Sequence, residues 1–381
     1  MIDSQIYDVA VIGAGPAGLA VAKRLDQTPL KTLVLERTAT LGQVWVNHYE
    51  GLTLNTVARL SRLVDKDFPT EAGKWPRKED VGRYLVDLAQ NLKSTVNTNV
   101  DVERLVYDSS HQQWVIHAAH SRYIAKKIVL ATGNNHEPLF PPWTSKVKTT
   151  VNLFHSSQYR SPEEFVGQNV LVVGGGNSGA EIACRVAQVA NKVVLSLREA
   201  PLVLPKQIGP LGFTYVGLAL RYFPAFLRTQ ILRSIQRIQF GDHKAFGLPL
   251  PSYQYLMNRG KDKAPTFYPD FLRNVRERKV QICGVVSRLN QDVVHLKRHI
   301  YSDEEEQIRV DSIICATGFS PKPKIEICQD TQIISEQVFQ KVQEGNLNPL
   351  PHLYALGFIS PLSGQLREIN KQSKKIADWL Y

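Results

Sequence analysis

Short apolar runs followed by a helical spacing of apolar positions set the plan of this chain. Val9-Ala10-Val11-Ile12 and Val170-Leu171-Val172-Val173 contain no polar residue, the pattern of parallel strands covered on both faces. Each run stops at glycine and leads into a helix, Leu19 to Leu25 after the first and a helix start at Asn177 after the second. Thr32-Leu33-Val34-Leu35 and Lys192 to Arg198 supply a second strand in each half. Alternation then takes over. Val102–Val106, Trp114–His117 and Ile128–Leu130 predict a three-stranded meander ending in Ala131-Thr132-Gly133. Ile282–Leu289, Val293–Lys297 and Ile308–Ile314 predict another, ending in Ala316-Thr317-Gly318. The order of elements therefore occurs twice, and chance glycines do not reproduce an order of elements.

The glycines in both turns keep one spacing, Gly13-x-Gly15-x-x-Gly18 and Gly174-x-Gly176-x-x-Gly179. The first glycine of each set allows the tight turn, the second lets a pyrophosphate approach the backbone, and the third lets helix and strand pack closely. Pro16 and Ala17 in one turn, and Asn177 and Ser178 in the other, open helices whose N-termini face the phosphates. The fold class expected is α/β: two Rossmann-like dinucleotide-binding domains, each with a β-meander, the second inserted into the first. The expected domain limits are 1–145 and 316–381 for the outer domain and 165–315 for the inserted one. Pro138, Pro141 and Pro142 mark the outgoing linker.

The two second strands end differently. Glu36 closes the first, near the ~20-residue offset at which an acid meets ribose hydroxyls, with Arg37 beside it. The alternative for Glu36 is a solvated strand-end carboxylate. The other strand ends in Ser196 and Arg198 with no acid. An acid there would repel a 2′-phosphate, whereas arginine offers it a bidentate fork. A solvent-facing arginine is the alternative, and leaves NADH open.

Composition narrows the class. The chain has 381 residues, 43% hydrophobic and 21% charged, with formal net charge +11. That length implies two domains with sizeable cores. The lysines and arginines are scattered instead of gathered in one arm, which argues for cofactor phosphates and a basic surface and against nucleic acid. Cys184, Cys283, Cys315 and Cys328 form no C-x-x-C pair and no metal-ligand spacing. They read as small buried hydrophobes in a reducing cytoplasm. No run reaches the ~18 apolar residues of a membrane span, and the first strand starts too early for a signal peptide.

Residues 41–56 have no clean period and are rich in aromatic and amide groups. They fit an active-site loop laid against a flat ring system. Here the first glycine turn, the Gly42-x-x-Trp45 segment and the Leu52-x-x-Asn55-Thr56 segment resemble the flavin-containing monooxygenases, nearest the YUCCA-like branch. Trp75-Pro76 and the following helix, Asp80 to Leu92 with Tyr84, Leu85 and Leu88, are similar to that family as well. The resemblance implies FAD in the first site and NADPH in the second. It extends the FAD set to Gln43, Val44, Trp45, Asn55, Thr56, Val102, Ala131, Thr132, Gly133, Gly357, Gln365 and Leu366. To the NADPH set of Gly174, Gly176, Asn177, Ser178, Gly179, Ser196 and Arg198 it adds Ala316, Thr317 and Gly318. Core packing for Trp45 and a turn cap for Asn55 are the alternatives.

Other stretches bear on the same resemblance. Leu353 to Phe358 resembles the strand and glycine that approach the flavin ribityl chain, and Gly364 to Asn370 opens a last helix striped by Ile376, Ala377 and Leu380. The family's Phe-x-Gly-x-x-x-His fingerprint is half present. His155 and Tyr159 match, while Thr149 and Val151 stand where phenylalanine and glycine belong. His155 reads as a satisfied linker histidine, with a catalytic part as the alternative. Residues 210–246 are apolar, aromatic and dotted with arginine, one or two amphipathic helices broken at Pro224. A lid over the substrate site, a homodimer contact and a peripheral membrane contact all fit them. Ser302 to Glu306 reads as a solvated acidic hairpin tip.

The acceptor of the electrons follows by elimination. A disulfide reductase needs a cysteine pair, and an iron–sulfur or haem partner needs ligands absent here unless they sit on another protein, so dioxygen remains. In the family resembled, a flavin C4a-hydroperoxide delivers one oxygen atom to a small molecule such as an amine, sulfide, ketone or 2-oxo acid. Asn55 is the expected catalytic residue, an uncharged amide that hydrogen-bonds without donating a proton too early. The alternatives are an NADPH-dependent flavin reductase or oxidase and a non-catalytic redox-responsive flavoprotein.

Overall fold

The computed structural model describes residues 2–135, 137–145, 149–241, 248, 265–268, 270–297, 304–320 and 322–381. The chain divides into two compact units, Met1–Glu137 with Ser320–Tyr381, and Pro138–Phe319 between those segments. The divisions fall nearer the glycines than residues 145 and 315. The reason is local: the Leu139 N–H donates to the Gly318 carbonyl at 3.0 Å, tying both linker strands into the second unit.

The first unit opens with β1 (Ile2–Ile12), α1 (Pro16–Leu25) and β2 (Thr32–Leu35). A single turn, α2 (Gln43–Val46), and a helix, α3 (Lys78–Gln90), precede β3 (Thr95–Asn97). The meander is β4 (Val102–Asp108), β5 (Gln113–Ala118) and β6 (Ser121–Leu130). β6 is longer than alternation alone marks, because it serves twice. It closes the antiparallel meander against β5 and runs parallel to β1, with Val11 beside Val129. The apolar run of β1 shows why no polar residue interrupts it. Val9 and Val11 pack into one core with α1 and α3, whereas Ala10 and Ile12 pack into another with Trp114 and Leu105. Successive side chains of a strand face opposite layers, so both parities must be apolar.

In the second unit β7 (Asn152–His155), β8 (Asn169–Val173) and α4 (Asn177–Val186) are followed by β9 (Lys192–Ser196). The arginine-rich stretch forms α5 (Phe213–Leu220) and α6 (Ala225–Phe240), broken at Pro224; residues 242–246 of the expected lid lie outside the described residues. After α7 (Asp270–Arg276) come β10 (Val280–Cys283), β11 (Val285–Asn290), β12 (Val293–Lys297), β13 (Glu305–Arg309) and β14 (Ser312–Cys315). Residues 302 and 303 of the acidic tip also lie outside the described residues. The parallel sheet runs β10-β9-β8-β14-β7, and the meander β11-β12-β13 is a separate sheet. Two expected strands are therefore each two elements. The Ile282–Leu289 stretch divides at Gly284 and the Ile308–Ile314 stretch at Val310-Asp311, where the Asp311 N–H donates to the Asn169 carbonyl at 2.8 Å. The division lets Val286, Leu289, Val294 and Leu296 share a core with Leu171 and Ile313.

The chain then returns to the first unit with β15 (Glu326–Gln329), β16 (Gln332–Ile333), α8 (Ser335–Gln343), β17 (Leu353–Ala355) and α9 (Gln365–Leu380). The sheet order there is β16-β15-β4-β5-β6-β1-β2-β3, with β17 pairing β6. α9 packs along α1. The Arg24 guanidinium joins them, donating to Asn370 Oδ1 at 2.7 Å and Ser373 Oγ at 3.0 Å.

Candidate nucleotide sites

Both glycine turns are built alike, which their common spacing requires. Gly13 has φ +102° and Gly174 φ +112°, values that disfavour a side chain. A Cβ on Gly13 would lie 2.8 Å from the Ala131 carbonyl oxygen, and one on Gly174 2.4 Å from that of Ala316. A Cβ on Gly18 or Gly179 would lie 1.8 Å from the oxygen of Gly13 or Gly174. The middle glycines differ: nothing lies within 4 Å of a Cβ on Gly15 or Gly176. That is open space, at the caps of α1 and α4, which have no side-chain cap. The first-turn N–H groups of each helix therefore face a cradle that an anion fits.

In the first unit Glu36 is held in place. Its Oε2 accepts from the Ala14 N–H at 2.8 Å, and its Oε1 from the Thr38 N–H and hydroxyl at 2.9 and 2.8 Å. Lone pairs remain on both oxygens for ribose hydroxyls. Val102 is buried at the start of β4, while Arg37 and Val44 are exposed. The side chain of Gln43 lies outside the described residues.

The loop from Trp45 to Thr56 is fastened from both ends. Trp45 packs on the core and edge-on against His48. The Leu54 N–H donates to the Pro76 carbonyl at 2.8 Å. Asn55 is half-buried. Next to it the Thr56 hydroxyl meets that of Ser61 at 2.7 Å, and its methyl would be 2.8 Å from a Cβ on Gly364, the cap of α9.

The third wall is the segment after β6 and the segment after β17. Gly357 has φ +86° and lies so close to α1 that its Cβ would meet that of Ala17 at 3.0 Å. Its carbonyl accepts from Gln365 Nε2 at 3.0 Å and its N–H donates to Gln372 Oε1 at 3.1 Å. Leu366 is buried beneath. Three buried polar atoms here have no hydrogen-bond partner among the described residues: Thr132 Oγ1, Asn134 Oδ1 and one Arg367 nitrogen. Unsatisfied buried groups are costly, and a polar cofactor laid along Ala131-Thr132-Gly133 would satisfy such groups. Asn134, Arg367 and Gln372 were not expected from sequence. The one local sign was the position of Asn134 directly after Gly133.

In the second unit two expected ligands have other partners. Asn177 Nδ2 donates to the Pro265 carbonyl at 2.8 Å and its Oδ1 accepts from the Phe267 N–H at 2.8 Å. The side chain braces residues 265–267 over the glycine turn, where the Thr266 hydroxyl donates to the Gly175 carbonyl at 3.1 Å. The buried Ser196 hydroxyl donates to the Gly284 carbonyl at 2.7 Å. Ser178 is half-buried and Arg198 exposed. The Ala316 N–H donates to the Val173 carbonyl at 2.8 Å, the Thr317 hydroxyl donates to the Leu139 carbonyl, and Gly318 has φ +81°.

His155 is buried at the end of β7. Its Nε2 contacts the Gly318 carbonyl at 2.9 Å, so that nitrogen bears the proton. Its Nδ1 then accepts from the Ser157 N–H at 3.2 Å. The rings of Phe140 and Phe319 stand edge-on to it. Desolvation holds its pKa below the ordinary value, so the imidazole is neutral. Burial pushes the thiols of Cys184, Cys283 and Cys315 up to about 12, far from the thiolate a redox cysteine needs. Among the described residues no group of His, Cys, Asp or Glu could hold a metal ion.

A family model described as pyridine nucleotide-disulphide oxidoreductase matches residues 10–206. The chain is 31% identical over 319 residues to the Arabidopsis thaliana protein named probable indole-3-pyruvate monooxygenase YUCCA1, covering 82% of this chain and 76% of that one. It is 28% identical over 317 residues to an uncharacterized CzcO-like oxidoreductase of Geobacillus kaustophilus, covering 83% and 81%. Among solved structures, a flavin-containing monooxygenase from Stenotrophomonas maltophilia shares the fold, with TM-score 0.67 over 99% of this chain and 100% of that one at 19% identity.

Proposed function

Because the chain belongs to the flavin-containing monooxygenase family, near its YUCCA branch and within the pyridine nucleotide-disulphide oxidoreductases, we propose that it uses FAD and NADPH to insert one oxygen atom of O2 into a small organic substrate. The observation that carries this reading is the duplicated glycine cradle with opposite charges beside it, Glu36 in one unit and Arg198 in the other. The carboxylate of Glu36 accepts from ribose hydroxyls and fixes the adenosine end of FAD. Arg198, exposed at the end of its strand, forks onto the 2′-phosphate of NADPH. The unpartnered Thr132, Asn134 and Arg367 atoms are taken up by the flavin end of the cofactor.

The chemistry supplied by the flavin, when bound, is reduction by the nicotinamide and activation of dioxygen. The protein's part is positioning and dryness. Trp45 and Leu54 keep water from the ring system. The Asn55 amide offers a hydrogen bond with no proton acidic enough to be lost. The sequence offers no C-x-x-C pair to take the electrons, and burial holds Cys184, Cys283 and Cys315 far from the thiolate form.

The substrate is an amine, sulfide, ketone or 2-oxo acid. The relatives named indole-3-pyruvate monooxygenases put the 2-oxo acids first in the test. Purified protein, saturated with FAD, is assayed with NADPH against a panel of these four classes, reading product mass. One added oxygen, or for a 2-oxo acid its oxidative loss of carbon dioxide, is the expected result. Hydrogen peroxide equal to the NADPH consumed, whatever the acceptor, would make the protein an oxidase or reductase instead.

A further inference from the structure

The α5–α6 stretch has a chemistry that nucleotide binding does not use. From Ala200 to Gly241 there is no Asp or Glu, yet Lys206, Arg221, Arg228, Arg233 and Arg237 all fall there. α6 buries only Thr229, Leu232 and Gln236. These lie at i, i+3 and i+7 on the side that holds the helix to its unit, with Ala225, Arg228, Ile231, Arg233, Ile235 and Phe240 half-buried around them. The remaining side is exposed. Tyr222 is 75% exposed, Phe226 60% and Ile238 80%, with Phe223 and Leu227 exposed as well. At 100° per residue, Leu227 and Ile238 stand opposite the buried stripe, while Phe226 and Arg237 share a flank. Scattered exposed hydrophobics need no explanation, but a cluster of this kind does.

The charge pattern decides what fits the cluster. Among the described residues none of Arg228, Arg233 and Arg237 is ion-paired. A second copy docked two-fold on the same face would set these cations against one another. An anionic bilayer surface suits both components: rings enter the boundary between headgroups and acyl chains, and guanidinium groups stay at the phosphates. No helix among the described residues is long and apolar enough to cross a membrane, so the contact is with one leaflet. We propose that the α5–α6 corner binds the surface of an anionic phospholipid bilayer, through Tyr222, Phe223 and Phe226 in the interface and Arg233 and Arg237, on the same flank as Phe226, on the headgroups.

The test is sedimentation of the FAD-loaded full chain with phosphatidylcholine vesicles, with and without phosphatidylserine. Binding is expected only with phosphatidylserine and should vanish near 1 M salt, where screening acts within ~3 Å. Removing one cation weakens partitioning about fivefold, so Arg233→Gln with Arg237→Gln should weaken it about 25-fold. Phe226→Ser should weaken it too, while leaving its salt dependence in place. Circular dichroism checks the fold of each variant, and the wild-type salt series carries the test if a variant does not fold. Equal binding to neutral vesicles, or none to either, overturns the proposal. So does a dimer in light scattering that Phe226→Ser abolishes, which would assign the face to a second copy. Altered NADPH consumption without vesicles, with vesicle binding unchanged, would make the helices a substrate lid and overturn it as well.

Discussion

The Gly13 N–H donates to the Leu35 carbonyl and the Gly174 N–H to that of Ser196, so Glu36 follows the second strand of one unit where the other has the buried Leu197, and Arg198 comes one residue later. Charge-assisted hydrogen bonds contribute roughly 1.5–3 kcal/mol, about 10- to 100-fold in affinity. Arg198→Ala should therefore raise KM for NADPH by about that factor and leave KM for NADH nearly unchanged. An equal rise for both would separate Arg198 from the 2′-phosphate. Asn55→Ala should release more hydrogen peroxide per NADPH while flavin reduction keeps its rate; stopped-flow traces with an unchanged intermediate lifetime would refute that role. His155 makes a pH prediction. Its folded pKa lies below the ordinary 6.5, so the unfolded chain takes up the proton first. The stability it contributes is complete above about 6.5 and is lost as pH falls toward the folded value. Tm should fall over that window. His155→Gln should remove part of the slope, and the remainder includes His117, which shifts the same way.

At the scale of elements, the turns separate space needed for packing from space needed for a ligand. Gly176 has φ −70° and ψ −178°, a conformation any residue adopts. Its Cβ would meet nothing within 4 Å. Gly176→Ala should melt near wild type yet bind NADPH at least tenfold more weakly. Gly179→Ala puts a carbon 1.8 Å from a backbone oxygen. It should destabilise the second unit by more than about 3 kcal/mol before any nucleotide is added. Calorimetry with and without NADP+ distinguishes the two. If both variants merely lose stability, the open space at Gly176 is not a phosphate site.

For the whole molecule, two nucleotides on two units imply two separable protections. A ligand that binds only the folded state stabilises it by about 4 kcal/mol at 1,000 times its Kd. FAD should slow hydrogen exchange across 13–25 and 131–134, and NADP+ across 174–186. Exchange of the first segments in response to NADP+ alone would place the nicotinamide nucleotide in the wrong unit.

Much of this was legible because it is local. A tight turn needs its glycine within a few residues, and a doubly covered strand needs both parities apolar, so Gly13, Gly174 and the run Val9 to Ile12 declare themselves. The fold class and the family likeness follow from such signals in order. Tertiary structure alone decided the partners. Ser196 is engaged by Gly284, and Asn177 by Pro265 and Phe267, residues about ninety positions away that no spacing rule connects. It also divided the Ile282–Leu289 stretch at Gly284 and extended β6 so that it pairs with both β5 and β1 of one sheet, since strand length depends on which neighbour is available to pair. Asn134, Arg367 and Gln372 stayed hidden for the same reason: a hydrogen bond is satisfied or left open only once distant backbone has arrived beside it.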